Sequence, residues 1–174
     1  QPRVKRFLAG TLLASFAKNP ERMIDSAQEL ESLVDEPRLK LEFLKVYIRA
    51  LNSTGDRVGA VKQLFRLAAY APGTDELLAG GPGFAITLSQ GIRSQLFSAY
   101  VEADTEQKRG IVAAFEEEFK RLISAKDRGA MMARFAKLVV AHPAGDPLIM
   151  RLANPEFTPD DAVRGKLLER LTRS

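Results

Sequence analysis

His142 is the only histidine in a chain of 174 residues that has no cysteine. Those two counts limit the side-chain chemistry at once: no disulfide, no thiolate, one imidazole. A general base needs a partner that orients it, and no residue stands at a spacing that supplies one to His142. It falls just before Pro143, in what reads as the last turn of a helix. A cation suits the dipole there, so a surface or cap role outweighs catalysis. Gly80-Gly81-Pro82-Gly83 has the composition of an anion cradle. A phosphate loop, however, ends in Gly-Lys-Ser/Thr between a strand and a helix. Here Phe84-Ala85 follows and no strand pattern precedes, so the run reads as a connector that borders a groove only by position. Glu116-Glu117-Glu118, with Glu102 and Glu106, assemble carboxylates. Helical metal sites pair such acids with an inward His one turn away, and consecutive acids on a helix point in different directions, as on a solvated face. No metal and no cofactor is expected.

Arginine and aromatic side chains offer the remaining chemistry. An exposed arginine can stabilise charge on a transferring phosphate. The string Gln90-Gly91-Ile92-Arg93-Ser94 resembles the arginine-finger stretch of bacterial effector proteins that activate Rho GTPases, and the resemblance carries over one residue, Arg93. Against it stands a plain surface arginine beside a helix glycine. Tyr47, Tyr70, Phe84, Phe97 and Tyr100 would mark a partner groove if exposed, and core packing is the competing reading for each. Lys and Arg number 26 against 22 Asp and Glu, a net charge of +4. Arg3, Lys5 and Arg6 cluster at one end, and Arg164, Lys166, Arg170 and Arg173 at the other. Glu116-Glu117-Glu118 and Asp160-Asp161 interrupt the pattern. Scattered charge with few aromatics between makes a poor phosphate footprint, so nucleic acid is a disfavoured partner.

The elements that would position these residues are helical. Residues 3–18 carry Val4, Phe7, Leu8, Leu12, Ala14 and Phe16, a broad apolar face. Asn19-Pro20 restarts a helix to about Val34, with Met23, Ile24, Ala27, Leu30 and Leu33 inward. A third helix, about Pro37 to Asn52, carries Leu39, Phe43, Val46, Tyr47, Ala50 and Leu51. Ser53-Thr54-Gly55 turns the chain, and Asp56 caps a fourth helix with Ala60, Val61, Leu64, Leu67, Ala68 and Ala71 on one face, closed by Pro72. Short connections make these two an antiparallel hairpin. Thr74 to Leu78 is expected as a single helical turn. A helix from near Phe84 to Ala103 follows, holding Leu88, Ile92, Leu96, Tyr100 and Val101 and kinked or split at Gly91. Asp104-Thr105-Glu106-Gln107 is a capping box for the next helix. That helix turns Ile111, Val112, Phe115, Phe119, Leu122 and Ile123 inward. Asp127 opens a helix through Ala130, Met131, Arg134, Phe135, Leu138, Val139 and His142 that Pro143 and Gly145 end. Thr158 is expected to cap the last helix, with Val163, Leu167, Leu168 and Leu171 packed. No strand alternation is legible.

Residues 108–149 align on 37–78 without a gap, and nine of the 42 positions are identical: Arg38/Arg109, Leu51/Leu122, Ser53/Ser124, Asp56/Asp127, Arg57/Arg128, Leu67/Leu138, Pro72/Pro143, Asp75/Asp146 and Leu77/Leu148. Ordinary composition yields roughly three. The offset of 71 is about twice 35, a period of helical arrays. Gly55-Asp56, Ala60, Leu64, Leu67 and Pro72 resemble the second helix of the tetratricopeptide family, as do Met131, Phe135, Leu138 and Pro143. The likeness covers about half of the chain. The chain departs from the family in having Ile48, Phe119 and Met131 where small residues let the helices touch, and no Trp. The resemblance implies stacked hairpins that bind a peptide or another protein on a face lined by the first helices. Lys45, Tyr47, Arg49 and their counterparts Glu118 and Lys120 fall on those helices.

A chain of this length fits one domain, 1–174, with a sizeable core. A hydrophobic content of 45% with 28% charge is that of a globular protein, and no apolar run is long enough for a spanning helix. The absence of Cys fits a cytosolic home and does not exclude a periplasmic one. Gln1-Pro2 opens the chain in place of Met, as after a cleaved leader or at an artificial boundary. The expected fold is all-α: antiparallel helical hairpins, four to five of them, stacked as a short α-solenoid or packed as a compact bundle. The expected function is non-catalytic binding of a peptide or helix of a partner protein, with Lys45, Tyr47, Arg49, Phe84, Arg93 and Lys120 as contact residues. The alternatives are a GTPase effector acting through Arg93 and a basic-surface nucleic-acid binder.

Overall fold

The computed structural model describes residues 2–70, 77–79, 85–126 and 128–173, and the fold is all-α. The backbone clusters into two compact units, Gln1–Leu88 and Ser89–Ser174. Among the described residues no helix is long and apolar enough to cross a membrane.

In the first unit, α1 (Pro2–Lys18) packs on a 3₁₀ turn (Pro20–Met23), α2 (Ala27–Leu33) and α3 (Pro37–Ser53). The continuous helix expected over 20–34 is thus broken in two. Asn19 makes no side-chain cap bond. Instead i→i−3 bonds, Ile24 N–H to the Glu21 carbonyl and Ser26 N–H to that of Met23, carry the tighter turn up to Asp25-Ser26. Asp and Ser are poor helix-interior residues, and the α-helix resumes only at Ala27, its first i→i−4 bond running from Leu30 N–H to the Ser26 carbonyl at 2.9 Å. The inward stripe survives the break: Met23, Ala27 and Leu30 are buried with Phe43, Leu44, Val46, Ile48 and Leu51 of α3.

α3 and α4 (Arg57–Tyr70) form the principal pair of this unit. Their junction is built from local chemistry. Gly55 takes a positive φ of 81°, which a side chain would resist. With it there, Asp56 N–H reaches the Leu51 carbonyl at 2.9 Å and Gly55 N–H that of Asn52 at 3.2 Å, a Schellman closure of α3. Asp56 then accepts from Gly59 N–H at 2.8 Å and caps α4, as its position before the apolar stripe implied.

A second departure follows α4. Leu77 and Leu78 are not in a helical turn: Leu77–Ala79 (β1) pairs antiparallel with Ala85–Thr87 (β2), Leu77 opposite Thr87 and Ala79 opposite Ala85. Extended Ile86-Thr87, both β-branched, delays the next helix from about Phe84 to Leu88. Three residues per strand are too few to show alternation in a sequence. Gly80 to Phe84 and Ala71 to Glu76 lie outside the described residues.

The second unit holds α5 (Leu88–Val101), α6 (Thr105–Ile123), α7 (Arg128–Val140), a 3₁₀ segment (Pro143–Leu148), α8 (Ile149–Leu152) and α9 (Asp161–Arg173). α5 runs unbroken through Gly91. The capping box is present: Gln107 N–H donates to Asp104 Oδ1 at 2.8 Å, and Asp104 N–H to Gln107 Oε1 at 3.3 Å. On α7 Met132, Phe135, Ala136, Leu138 and Val139 are buried and Ala130 is exposed. The cap of α9 also shifts. Asp160 accepts from Ala162 and Val163 N–H at 3.0 and 3.2 Å, whereas Thr158 is buried and its Oγ1 has no hydrogen-bond partner. A carboxylate two residues nearer the helix takes the exposed amides first. Of the expected apolar face of α9, Val163 and Leu167 are buried and Leu168 is exposed.

At the offset of 71, Phe43/Ala114, Leu44/Phe115, Ile48/Phe119, Leu51/Leu122, Val61/Met132, Leu64/Phe135, Phe65/Ala136 and Leu67/Leu138 are buried in both members. Val46 and Ala50 are buried where Glu117 and Arg121 are exposed. α3 also packs on α1, α2 and the first 3₁₀ turn.

Candidate functional site

The expected contact residues distribute as follows. Lys45 and Arg49, four apart on α3, share one face; Lys45 pairs with Glu42 at 3.0 Å and Arg49 is exposed. Tyr47 lies about 200° around the helix from either, half-buried, its ring 5.6 Å from that of Phe43. Lys45 and Tyr47 therefore do not meet on one surface. Arg93 and Lys120 are exposed on α5 and α6 of the second unit. Phe84 lies outside the described residues. Glu118, the counterpart of Tyr47, is held by Arg121 through two bonds of 2.7 and 2.6 Å. No group of three or more His, Cys, Asp or Glu suited to a metal occurs among the described residues.

His142 is not a surface group. It lies beyond the end of α7 and is 2% exposed. Ala144 N–H donates to Nδ1 at 3.1 Å, which leaves Nδ1 unprotonated, so Nε2 carries the hydrogen and donates to the Leu96 carbonyl at 3.0 Å. The ring stacks on Phe115, centroids 4.8 Å apart, and meets the edge of Tyr100 at 5.3 Å. Burial holds the imidazole below its usual range. The Leu96 bond opposes that shift, Arg170 adds to it and Asp146 opposes it. A cap role is met, but by a neutral ring at the start of a 3₁₀ segment rather than by a cation at a helix end. Arg170 supplies the cation: its guanidinium donates to the carbonyls of Val139, Val140 and His142 at 2.9, 2.8 and 3.1 Å and pairs with Asp146. Gly145 completes the turn, since a Cβ there would stand 2.7 Å from Val139 Cγ1 and 3.0 Å from its backbone. Both ring nitrogens are thus used in joining α5 to the segment after α7.

A second buried-edge charge group ties the first unit together. Glu31 of α2 accepts from Lys40 of α3 at 2.6 Å and pairs with Arg66 of α4, whose other nitrogen donates to Gln63 at 2.8 Å. The Arg66 bond, followed by burial in the opposite sense and then Lys40, leaves the Glu31 carboxyl below its ordinary range.

The feature that stands out is apolar and exposed. On α1, Val4 is 63% and Phe7 78% exposed, with Leu8 beside them at i+4. Ala9 and Leu13 take the inward side. The apolar residues of 3–18 are too many for one buried face, which is the signal in the sequence that separates these three from the core. On α5, Phe97 and Val101 are exposed four apart, with Gln90, Arg93 and Ser94 on the same side. Arg93 therefore flanks an apolar stripe, its Nε turned to the Ser89 carbonyl at 3.4 Å. Met150 of α8 is a further exposed apolar group. Compared with protein-family models, with curated proteins and with solved structures, the chain matches none.

Proposed function

We propose that the chain is a non-catalytic interaction module that binds a peptide or helix of another protein. The observation that carries this reading is the large apolar side chains held in water on helices of both units, Phe7 with Val4 and Leu8 on α1, Phe97 with Val101 on α5. Contiguous apolar side chains on a helix already packed on its other side are unsatisfied until a partner covers them. The recurrence of buried positions at an offset of 71 supports the hairpin-repeat part of the reading. Arg93, beside Phe97, then acts as a rim contact of the kind arginine commonly supplies.

The test is capture from native extract on the immobilised chain, followed by reconstitution from purified components. A discrete partner that re-forms the complex is the expected result. Two findings would displace the reading in favour of another. One is stimulation of GTP hydrolysis that disappears in Arg93→Ala. The other is retention of nucleic acid on a filter with a steep loss between 50 and 200 mM salt.

A further inference from the structure

We infer that the outward face of α1 docks an acidic amphipathic helix of the partner protein. The inference rests on the interaction-module reading and adds the partner's chemistry and its place. Val4, Phe7, Leu8, Thr11, Ala14, Ser15 and Lys18 follow one another at spacings of three and four and are all exposed. This stripe is opposite Ala9 and Leu13, which α1 buries in its own unit. It spans about 21 Å of helix axis, four turns. Its first part is a ridge of three large apolar groups centred on Phe7. Its second part, Thr11, Ala14 and Ser15, is shallow, and Thr11 turns its hydroxyl back to the Phe7 carbonyl at 2.9 Å. A ridge followed by a shallow strip is the shape into which a second helix lays its own groove and then its own ridge.

The charge selects the partner. α1 carries Arg3, Lys5, Arg6 and Lys18 and no acidic residue over its 17 positions. Arg6 pairs with Glu36 of the same unit. Lys5 is exposed beside the ridge, and Lys18 closes the stripe. A helix with Asp or Glu flanking its apolar stripe gains from these cations, and a basic one is repelled. A second copy of α1, whose charges are alike, is repelled in the same way. A bilayer is disfavoured because the second part of the stripe, Thr11 to Lys18, offers no large apolar group, where an interfacial helix offers apolar groups along most of its face.

The test uses the full chain and two labelled synthetic 21-residue peptides with the same Leu/Ala stripe, one flanked by Glu and one by Lys. Fluorescence anisotropy is expected to show saturable binding of the Glu peptide at least tenfold tighter than the Lys peptide. Phe7→Asp should weaken it at least tenfold with unchanged circular dichroism, and Leu168→Asp, at an exposed apolar position of α9, should leave it unaltered. The pair Lys5→Glu and Lys18→Glu should reverse the preference between the peptides. Equal binding of both peptides, no saturable binding of either, or indifference to Phe7→Asp overturns the inference. So does a Phe7-dependent dimer in sedimentation, or Phe7-dependent sedimentation with phosphatidylserine vesicles in place of peptide binding. If the partner captured from extract binds Phe7→Asp as well as the unaltered chain, the α1 surface fails while the interaction-module reading stands. If nothing is captured by either, both fail.

Discussion

At the scale of the residue, His142 and Thr158 show how burial changes what a polar group does. His142 has its hydrogen-bond needs met only in one neutral tautomer, because protonated Nδ1 would confront the Ala144 N–H with a second donor. Its folded-state proton affinity is depressed by burial, so the unfolded chain takes up the proton first. The stability this group contributes is therefore complete above the ordinary value of 6.5 and is lost as the pH falls below it toward the folded value. His142→Gln should flatten the melting temperature between pH 7.5 and 5.5 relative to the unaltered chain, while lowering it at pH 7.5. Differential scanning calorimetry at the two pH values reads both effects. Thr158 is the opposite case, a buried hydroxyl without a partner. Thr158→Val removes the unmet group and keeps the shape, so urea unfolding should find the variant as stable as the parent or up to about 1 kcal/mol more stable.

At the scale of the element, caps and turns decide where helices begin and end. Asp104 and Gln107 satisfy each other's backbone amides at the start of α6. Asp104→Ala should cost about 1 kcal/mol in urea unfolding, with Asp104→Asn recovering most of it, since the amide oxygen still accepts from the Gln107 N–H. Gly55 is the hinge of the α3–α4 pair. Gly55→Ala forces a Cβ into a positive φ and should destabilise by about 1 kcal/mol, whereas Gly129→Ala, in helix α7 with open space around it, should be neutral or stabilising. The departures from expectation also arise at caps and turns. Asn19-Pro20 signals a start without specifying which helix follows, and the i→i−3 bonds up to Ser26 made it a 3₁₀ turn.

At the scale of the whole molecule, the two compact units carry separate acid-sensitive groups. His142 belongs to Ser89–Ser174 and Glu31 to Gln1–Leu88. Glu31, with its folded pKa lowered by Arg66, contributes stability above the ordinary 4.5 that is lost as the pH falls through the folded value. On acidification the amide resonances of 89–173 should therefore lose dispersion at a higher pH than those of 2–70, and His142→Gln should narrow the interval. A two-dimensional amide spectrum recorded from pH 7.5 to 4 measures it.

Much of this was legible in the chain of residues alone. The all-α class, the α3–α4 pair, the Asp56 and Asp104 caps and most of the buried stripe follow from short-range rules. A helix face repeats every three to four residues, and a cap acts on amides two or three positions away, so a linear reading contains both. What needed the tertiary structure was anything set by contacts far apart in sequence. The short β1–β2 pair, the break before α2 and the cap at Asp160 were outcomes of competition among local options. Which side of a broadly apolar helix is covered depends on what lies against it: Ala9 and Leu13 meet α1's own unit, and Phe7 does not. His142 was one histidine near a proline until Leu96, 46 positions away, accepted its hydrogen. Burial is a property of the assembled neighbours, and a sequence names the neighbours without placing them.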